Sequence, residues 1–242
     1  MSVLGDVGRT LWPPAGDRHG PLTPMMVALT FVTGLVDAAS YLKLGHVFVA
    51  NMTGNVVFLG FALAGAGGLS SGASLAALGS FLIGALAGGW LGAHYPGHRG
   101  HLLRAASSVQ APLIMLALLV ALLASEPFHH GAQYALIVPL ALSMGVQNSS
   151  AQRLAVPELT TTVLTRTLTG LAAEARIVNG PSSKLGRRIV AVGAMLLGAL
   201  VGGLLALKVS VASDLAVAAG VVLSVALAVH VASRADGAWT RP

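Results

Sequence analysis

Eight apolar stretches, at approximately residues 24–42, 47–66, 74–94, 108–125, 132–150, 159–173, 188–208 and 212–233, recur along the whole of this 242-residue chain. A helix needs roughly 20 residues to cross a hydrocarbon layer ~30 Å thick, and several of these runs approach that length. Composition agrees: 55% of residues are hydrophobic, only 9% are charged and the mean hydropathy is +0.80, against about 25% charged in ordinary soluble domains. The reading is an all-α, polytopic membrane helical bundle, with no length left over for a sizeable soluble domain. No cysteine is present, so disulfides and thiolate metal sites are excluded. The net charge of +6 comes from basic residues scattered through loops beside apolar runs, without the interleaved aromatics of a nucleic-acid surface. It reads as an orientation signal for membrane insertion.

The chain repeats itself. "GLVDAASYLKLGHVFVANMTGNVVFLG" from Gly34 lies over "GVQNSSAQRLAVPELTTTVLTRTLTG" from Gly145, which places Asp37 on Asn148 and, one added residue later, Thr53-Gly54-Asn55 on Thr165-Arg166-Thr167. "GALAGGWLGA" from Gly84 then lies over "GALVGGLLAL" from Gly198. The offsets are 111 (Gly34 to Gly145), 112 (Thr53 to Thr165) and 114 (Gly84 to Gly198). Three blocks in the same order make chance agreement of Gly/Ala/Leu-rich sequence a poor explanation. The predicted division is a tail at 1–23, a first membrane repeat at 24–130, a second at 131–233 and a tail at 234–242. Residues 1–23 lack the apolar run and cleavage site of a signal peptide, and read as a short, flexible cytoplasmic segment.

Basic residues fall in four clusters: Arg9 and Arg18; Arg99 and Arg104; Arg176, Lys184, Arg187 and Arg188; Arg234 and Arg241. Short cytoplasmic loops are enriched in Lys and Arg. Eight full crossings would put the loops at 95–107 and 174–188 on opposite faces. If the second stretch of each half is broken or re-entrant, all four clusters share one face, each half crosses three times, and the second half is inverted relative to the first. Six spans in inverted repeats is the preferred arrangement, and eight spans in parallel repeats is the competitor.

The stretches demoted from full crossings are the ones rich in polar residues. "FVANMTGNVV", residues 48–57, sets Asn51, Thr53 and Asn55 around a glycine in apolar surroundings. Its start suits extended backbone, and Asn51 or Thr53 is placed to cap a short helix whose positive dipole end points inward. Inverted-repeat transporters build midplane sites from such interrupted segments. The predicted substrate-binding set is therefore Asp37, Asn51, Thr53 and Asn55 from the first half with Asn148, Thr165, Arg166 and Thr167 from the second. An arginine at this depth needs a cavity, a ligand or a carboxylate partner, and Asp37 is the candidate partner for Arg166.

Each residue also has a plainer use. The asparagines and threonines serve as interhelical hydrogen-bond glue, Asp37 as an interfacial residue paired locally, and Arg166 as a side chain that snorkels to the surface. Glu174 reads as interfacial and His230 as structural. His94, His98 and His101, and the pair His129-His130, have no carboxylate or cysteine beside them and read as loop residues rather than a metal site. Gly84 and Gly88, with Gly198 and Gly202, have the spacing that lets helices approach closely, either where these two spans cross at a pseudo-twofold axis or in a homodimer contact.

The run "GLVDAASYLKLGHVFVANMTGNVVFLG", followed by "GVQNSSAQRL" and "TTTVLTRTLTG", resembles the two signatures of the YoaK family of bacterial membrane proteins, also called the DUF1275 family. The resemblance covers nearly all of residues 24–232 and departs from the family pattern at Arg166, where a "TGT" motif has glycine. It implies an integral membrane protein of bacteria and carries no catalytic or binding residue onto this chain.

No phosphate-binding glycine loop, HExxH motif or Ser/His/Asp set on one side of the membrane is present, so neither an enzyme nor a cofactor is expected. The leading function is a secondary carrier or channel for a small polar solute or ion in the bacterial cytoplasmic membrane, with the lipid bilayer as partner and no nucleic acid. The alternative is a non-transporting membrane scaffold or assembly subunit. With the basic clusters on one face, reporter fusions at residues 1 and 242 are expected to read both termini as cytoplasmic; a periplasmic readout for either removes the six-span arrangement.

Overall fold

Apolar patterning of this density builds long helices. The computed structural model describes residues 3–14, 16–159, 161–162, 164–173, 185–234 and 237–241, and among them are nine α-helices and no strand. In chain order they are α1 (Val3–Leu11), α2 (Leu22–Lys43), α3 (Met52–Leu63), α4 (Ser71–His94), α5 (Arg99–Leu123), α6 (His130–Leu154), α7 (Leu164–Ala173), α8 (Leu185–Lys208) and α9 (Val211–Ala232). By length and composition α2, α4, α5, α8 and α9 can cross a membrane. The 25 residues of α6 are as long, but its second half carries Ser143, Gln147 and Ser150, all buried against protein. With 12 and 10 residues, α3 and α7 reach only about 18 and 15 Å at 1.5 Å per residue, too short for the layer.

Helix starts are set by capping side chains. Ser70, His98, His129 and Ser210 accept hydrogen bonds from the first turns of α4, α5, α6 and α9, each satisfying a donor that the helix itself cannot. His98 and His129, read from sequence as loop histidines, thus have a structural use.

Contacts between helix ends define two ends of the bundle. At the first, Glu126 pairs with Lys43 at the close of α2 (3.4 Å) and accepts from the Val211 N–H at the start of α9 (2.8 Å). Tyr134, early in α6, closes on Gly72, early in α4. At the second, Arg99 at the start of α5 donates to the carbonyl of Leu154, which ends α6, and to that of Arg18, just before α2. Arg188, early in α8, pairs with Glu158, just beyond α6 (3.0 Å). The chain between α2 and α4, which carries α3, leaves and rejoins the first end; the chain between α6 and α8, which carries α7, leaves and rejoins the second. Among the described residues, the five helices able to span a membrane, together with α6, run between these two ends. Arg9, Arg18, Arg99, Arg187, Arg188 and Arg234 all belong to segments at the second end; Glu174, Arg176 and Lys184 lie outside the described residues.

The N-terminal segment differs from its reading as a flexible tail. Its residues form α1, which packs on α8 and α2, and the Asp6 carboxylate accepts from the Gly186 N–H at 2.8 Å.

Two parallel helix pairs form the interior: α2 lies along α8, and α6 along α4. Gly198 faces the Phe31 carbonyl and Gly202 faces Leu35, while Gly84 faces the Leu142 carbonyl and Gly88 faces Val146. The two sets are related by the repeat offsets, 111 for 31 to 142 and 35 to 146, and 114 for 84 to 198 and 88 to 202. These glycines are therefore packed within the chain, against α6 and α2, rather than against each other. A buried polar chain ties the centre together: Gln110 of α5 donates to Gln147 of α6 (2.5 Å), which donates to Thr33 of α2 (2.9 Å).

A Cβ at Gly88 or Gly202 would lie 2.8 Å from backbone of the facing helix. Gly88→Leu and Gly202→Leu are expected to lower the melting temperature in detergent, each costing about 1–3 kcal/mol or more of overpacking. Gly60→Leu and Gly193→Leu, where a Cβ meets nothing within 4 Å, are expected to leave it unchanged.

Candidate functional site

The bundle interior has to accommodate residues 47–51, which join α2 to α3 without helical hydrogen bonds and are largely buried. Buried backbone groups need partners, and two side chains supply them. Asp37 Oδ1 accepts from the N–H of Val49 (3.0 Å) and of Ala50 (2.8 Å). Asn55 acts as a backbone mimic: its Oδ1 accepts from the Phe48 N–H (2.8 Å) and its Nδ2 donates to the Phe48 carbonyl (2.6 Å). The Phe48 ring stacks on Tyr41 with centroids 5.0 Å apart and on Phe58 at 5.7 Å. It also lies over Gly54, where a Cβ would be 2.7 Å from the ring, so the glycine of the motif is fixed by this ring.

These uses split the polar motif. Asp37 and Asn55 are buried and employed in holding the chain. Asn51 and Thr53 are exposed and face a cavity of about 490 Å³. Asn51 occupies the N-cap position of α3, as its sequence suggests, yet its side chain makes no capping hydrogen bond. The carboxamide and the first turn of α3, at Met52, Thr53 and Gly54, line the cavity instead, with the positive end of the helix dipole toward it.

The second half contributes Asn148, Thr162, Thr165 and Met195 to the same cavity. Thr162 donates to Asn148 Oδ1 at 2.8 Å, so Asn148 steadies the segment ahead of α7 as Asp37 steadies the one ahead of α3. The lining respects the repeat: Ala50 and Thr162, and Thr53 and Thr165, are mates at offset 112, and Phe81 and Met195 are mates at offset 114. Phe81 and Met195 each sit near the middle of a 24-residue helix.

Of the eight residues singled out from sequence, the structure brings Asn51, Thr53, Asn148 and Thr165 together around this cavity and leaves Asp37, Asn55, Arg166 and Thr167 out of its lining. Thr167 is buried and Arg166 is exposed. The envisaged Asp37–Arg166 pair does not form, because the Asp37 carboxylate is turned to the backbone of Val49 and Ala50. Among the described residues, no ionisable side chain lines the cavity. Sequence reading missed Thr162, Phe58, Phe81 and Met195; repeat register alone marks Thr162, as the mate of Ala50, and pairs Phe81 with Met195.

The family described as "Protein of unknown function (DUF1275)" matches residues 25–228. The UPF0700 transmembrane protein YoaK of Bacillus subtilis is 34% identical over 149 residues, which cover 61% of this chain and 64% of that protein. The chain thus matches a little under two thirds of that relative's length. No solved structure matches.

Asn55→Leu strands both polar groups of Phe48 inside the protein, at about 1–3 kcal/mol for each unmet group. It is expected to lower the melting temperature in detergent clearly, whereas Asn51→Leu, which strands nothing, is expected to stay within ~0.5 kcal/mol of the parent. Equal losses for the two variants would contradict the division of the motif into clamp and lining.

Proposed function

We propose that this chain, which belongs to the DUF1275 family and is an integral membrane protein, is a secondary carrier or channel that passes a small polar solute through a site shared by two inverted halves. The carrying observation is the cavity of about 490 Å³, lined at repeat-related positions by Thr53 and Thr165 and further by Asn51, Asn148 and Thr162. Interhelical glue has no need of an open cavity, and these groups from opposite halves converge on one. Inversion is supported by the end contacts, which start α2 at the second end of the bundle and its repeat mate α6 at the first. Transporters with inverted repeats bind solutes at such repeat interfaces, beside the N-termini of short helices.

The lining is amide, hydroxyl, thioether and aromatic, so it can donate and accept hydrogen bonds without fixing a charge. The reading involves no covalent step and no cofactor. The basic residues gathered at the second end support a reading in which that end, with both termini, faces the cytoplasm from the bacterial inner membrane, under the positive-inside rule.

Uptake and efflux of a mixed metabolite panel in proteoliposomes, with and without a pH gradient, test the reading. At least one solute is expected to move faster than in protein-free liposomes, and Asn148→Leu or Thr165→Val to slow it about tenfold, the effect of one lost hydrogen bond to a buried solute. Absence of flux for every solute in protein of native melting temperature would favour the scaffold instead.

A further inference from the structure

Away from the central cavity, two further hollows meet at the second end of the bundle. One is an apolar groove of about 510 Å³ between the first half of α2 and α9, walled by Met25, Ala28, Gly220, Val221 and Val225. The other is a basin of about 420 Å³ formed by the segments before α2 and after α9, with Trp12, Asp17 and Trp239 in its wall. They adjoin, since Pro21 and Pro24 line both. Trp12 is 78% exposed, in keeping with an indole at a membrane–water boundary. Arg18 lies on the segment that forms the basin, and Arg187 is close enough to act electrostatically on both Asp17 and His19. Asp17 is the opposing charge, and its Oδ1 is already engaged by the N–H groups of His19 (2.7 Å) and Gly20 (3.0 Å).

We propose that groove and basin together hold one phospholipid with an anionic head group, its acyl chain between α2 and α9 and its phosphate beside Arg18 and Arg187. An acyl chain matches the groove, whose wall is almost wholly apolar. The two arginines outnumber the one carboxylate and complement a head group that carries net negative charge. Depth is also consistent, because the groove runs inward from the bundle end at which the basic residues gather.

The purified full chain, titrated in detergent with dioleoyl phosphatidylglycerol and separately with dioleoyl phosphatidylcholine, is read by native mass spectrometry. Phosphatidylglycerol is expected to be retained more tightly. Gly220→Phe, at a position where a Cβ meets nothing within 4 Å, fills the groove without straining the fold and is expected to lower retention of both lipids about tenfold, the loss of a few methylene contacts. Gly193→Phe, equally open but outside the groove, is expected to have no effect. The double variant Arg18→Gln with Arg187→Gln is expected to keep phosphatidylcholine retention and lose the preference for phosphatidylglycerol. Equal retention of the two lipids by the parent chain overturns the proposal, as does unchanged retention in Gly220→Phe or an equal loss in Gly193→Phe.

Discussion

A backbone that leaves the helix inside a membrane protein has lost its own hydrogen bonds and cannot count on water to replace them. At Phe48, Val49 and Ala50 three consecutive N–H groups are in that position, and the carboxylate of Asp37 and the carboxamide of Asn55 meet all three. Left unmet, each would cost about 1–3 kcal/mol, enough together to deny the segment its place in the interior. With them met, the chain turns back after α2, α3 starts inside the bundle, and the polar residues at its tip face a shared space instead of lipid.

Close helix packing is the second condition. The parallel pairs of α2 with α8 and α6 with α4 bring backbone against backbone at Gly34, Gly84, Gly145 and Gly198, an approach that a side chain would forbid. It makes the interior narrow, so polar groups on helices of opposite halves come within reach of one another. The chain of Gln110, Gln147 and Thr33 uses that proximity, and so does the lining of the cavity.

Much of this was legible in the sequence because the signals were periodic or repeated. Apolar run length reported the long helices, and the repeat blocks picked out glycines that pack at matching offsets. The polar motif marked where helix would fail. What the sequence could not distinguish was which polar residue faces which way. Asp37, Asn51, Thr53 and Asn55 share chemistry suited both to clamping a backbone and to lining a cavity, and which side of its helix each one stands on decides between these roles. Arg166 was read through its repeat mate Gly54, yet Gly54 is set by the ring of Phe48, a contact with no bearing on what an arginine at the matching position does. Phe81 and Met195 escaped notice because apolar residues in apolar runs carry no compositional mark; only their matching register does. The docking of α1 was equally hidden, since its contacts with α2 and α8 include a carboxylate meeting the N–H of Gly186, which lies 180 residues away in sequence.

The pairing of helices also means that each closely packed pair draws on both halves of the sequence. One pair joins α2 of the first half to α8 of the second, and the other joins α6 of the second half to α4 of the first. The short helices lean accordingly, α7 on α8 and α3 on α4. Their tethers run the opposite way: Asp37, which holds the approach to α3, stands on α2, and Asn148, which holds the approach to α7, stands on α6. Each short helix is thus supported by one pair and anchored to the other. The two anchors cross between the pairs, so the side chains that hold α3 and α7 in place stand on the helix pair opposite the one each short helix packs on.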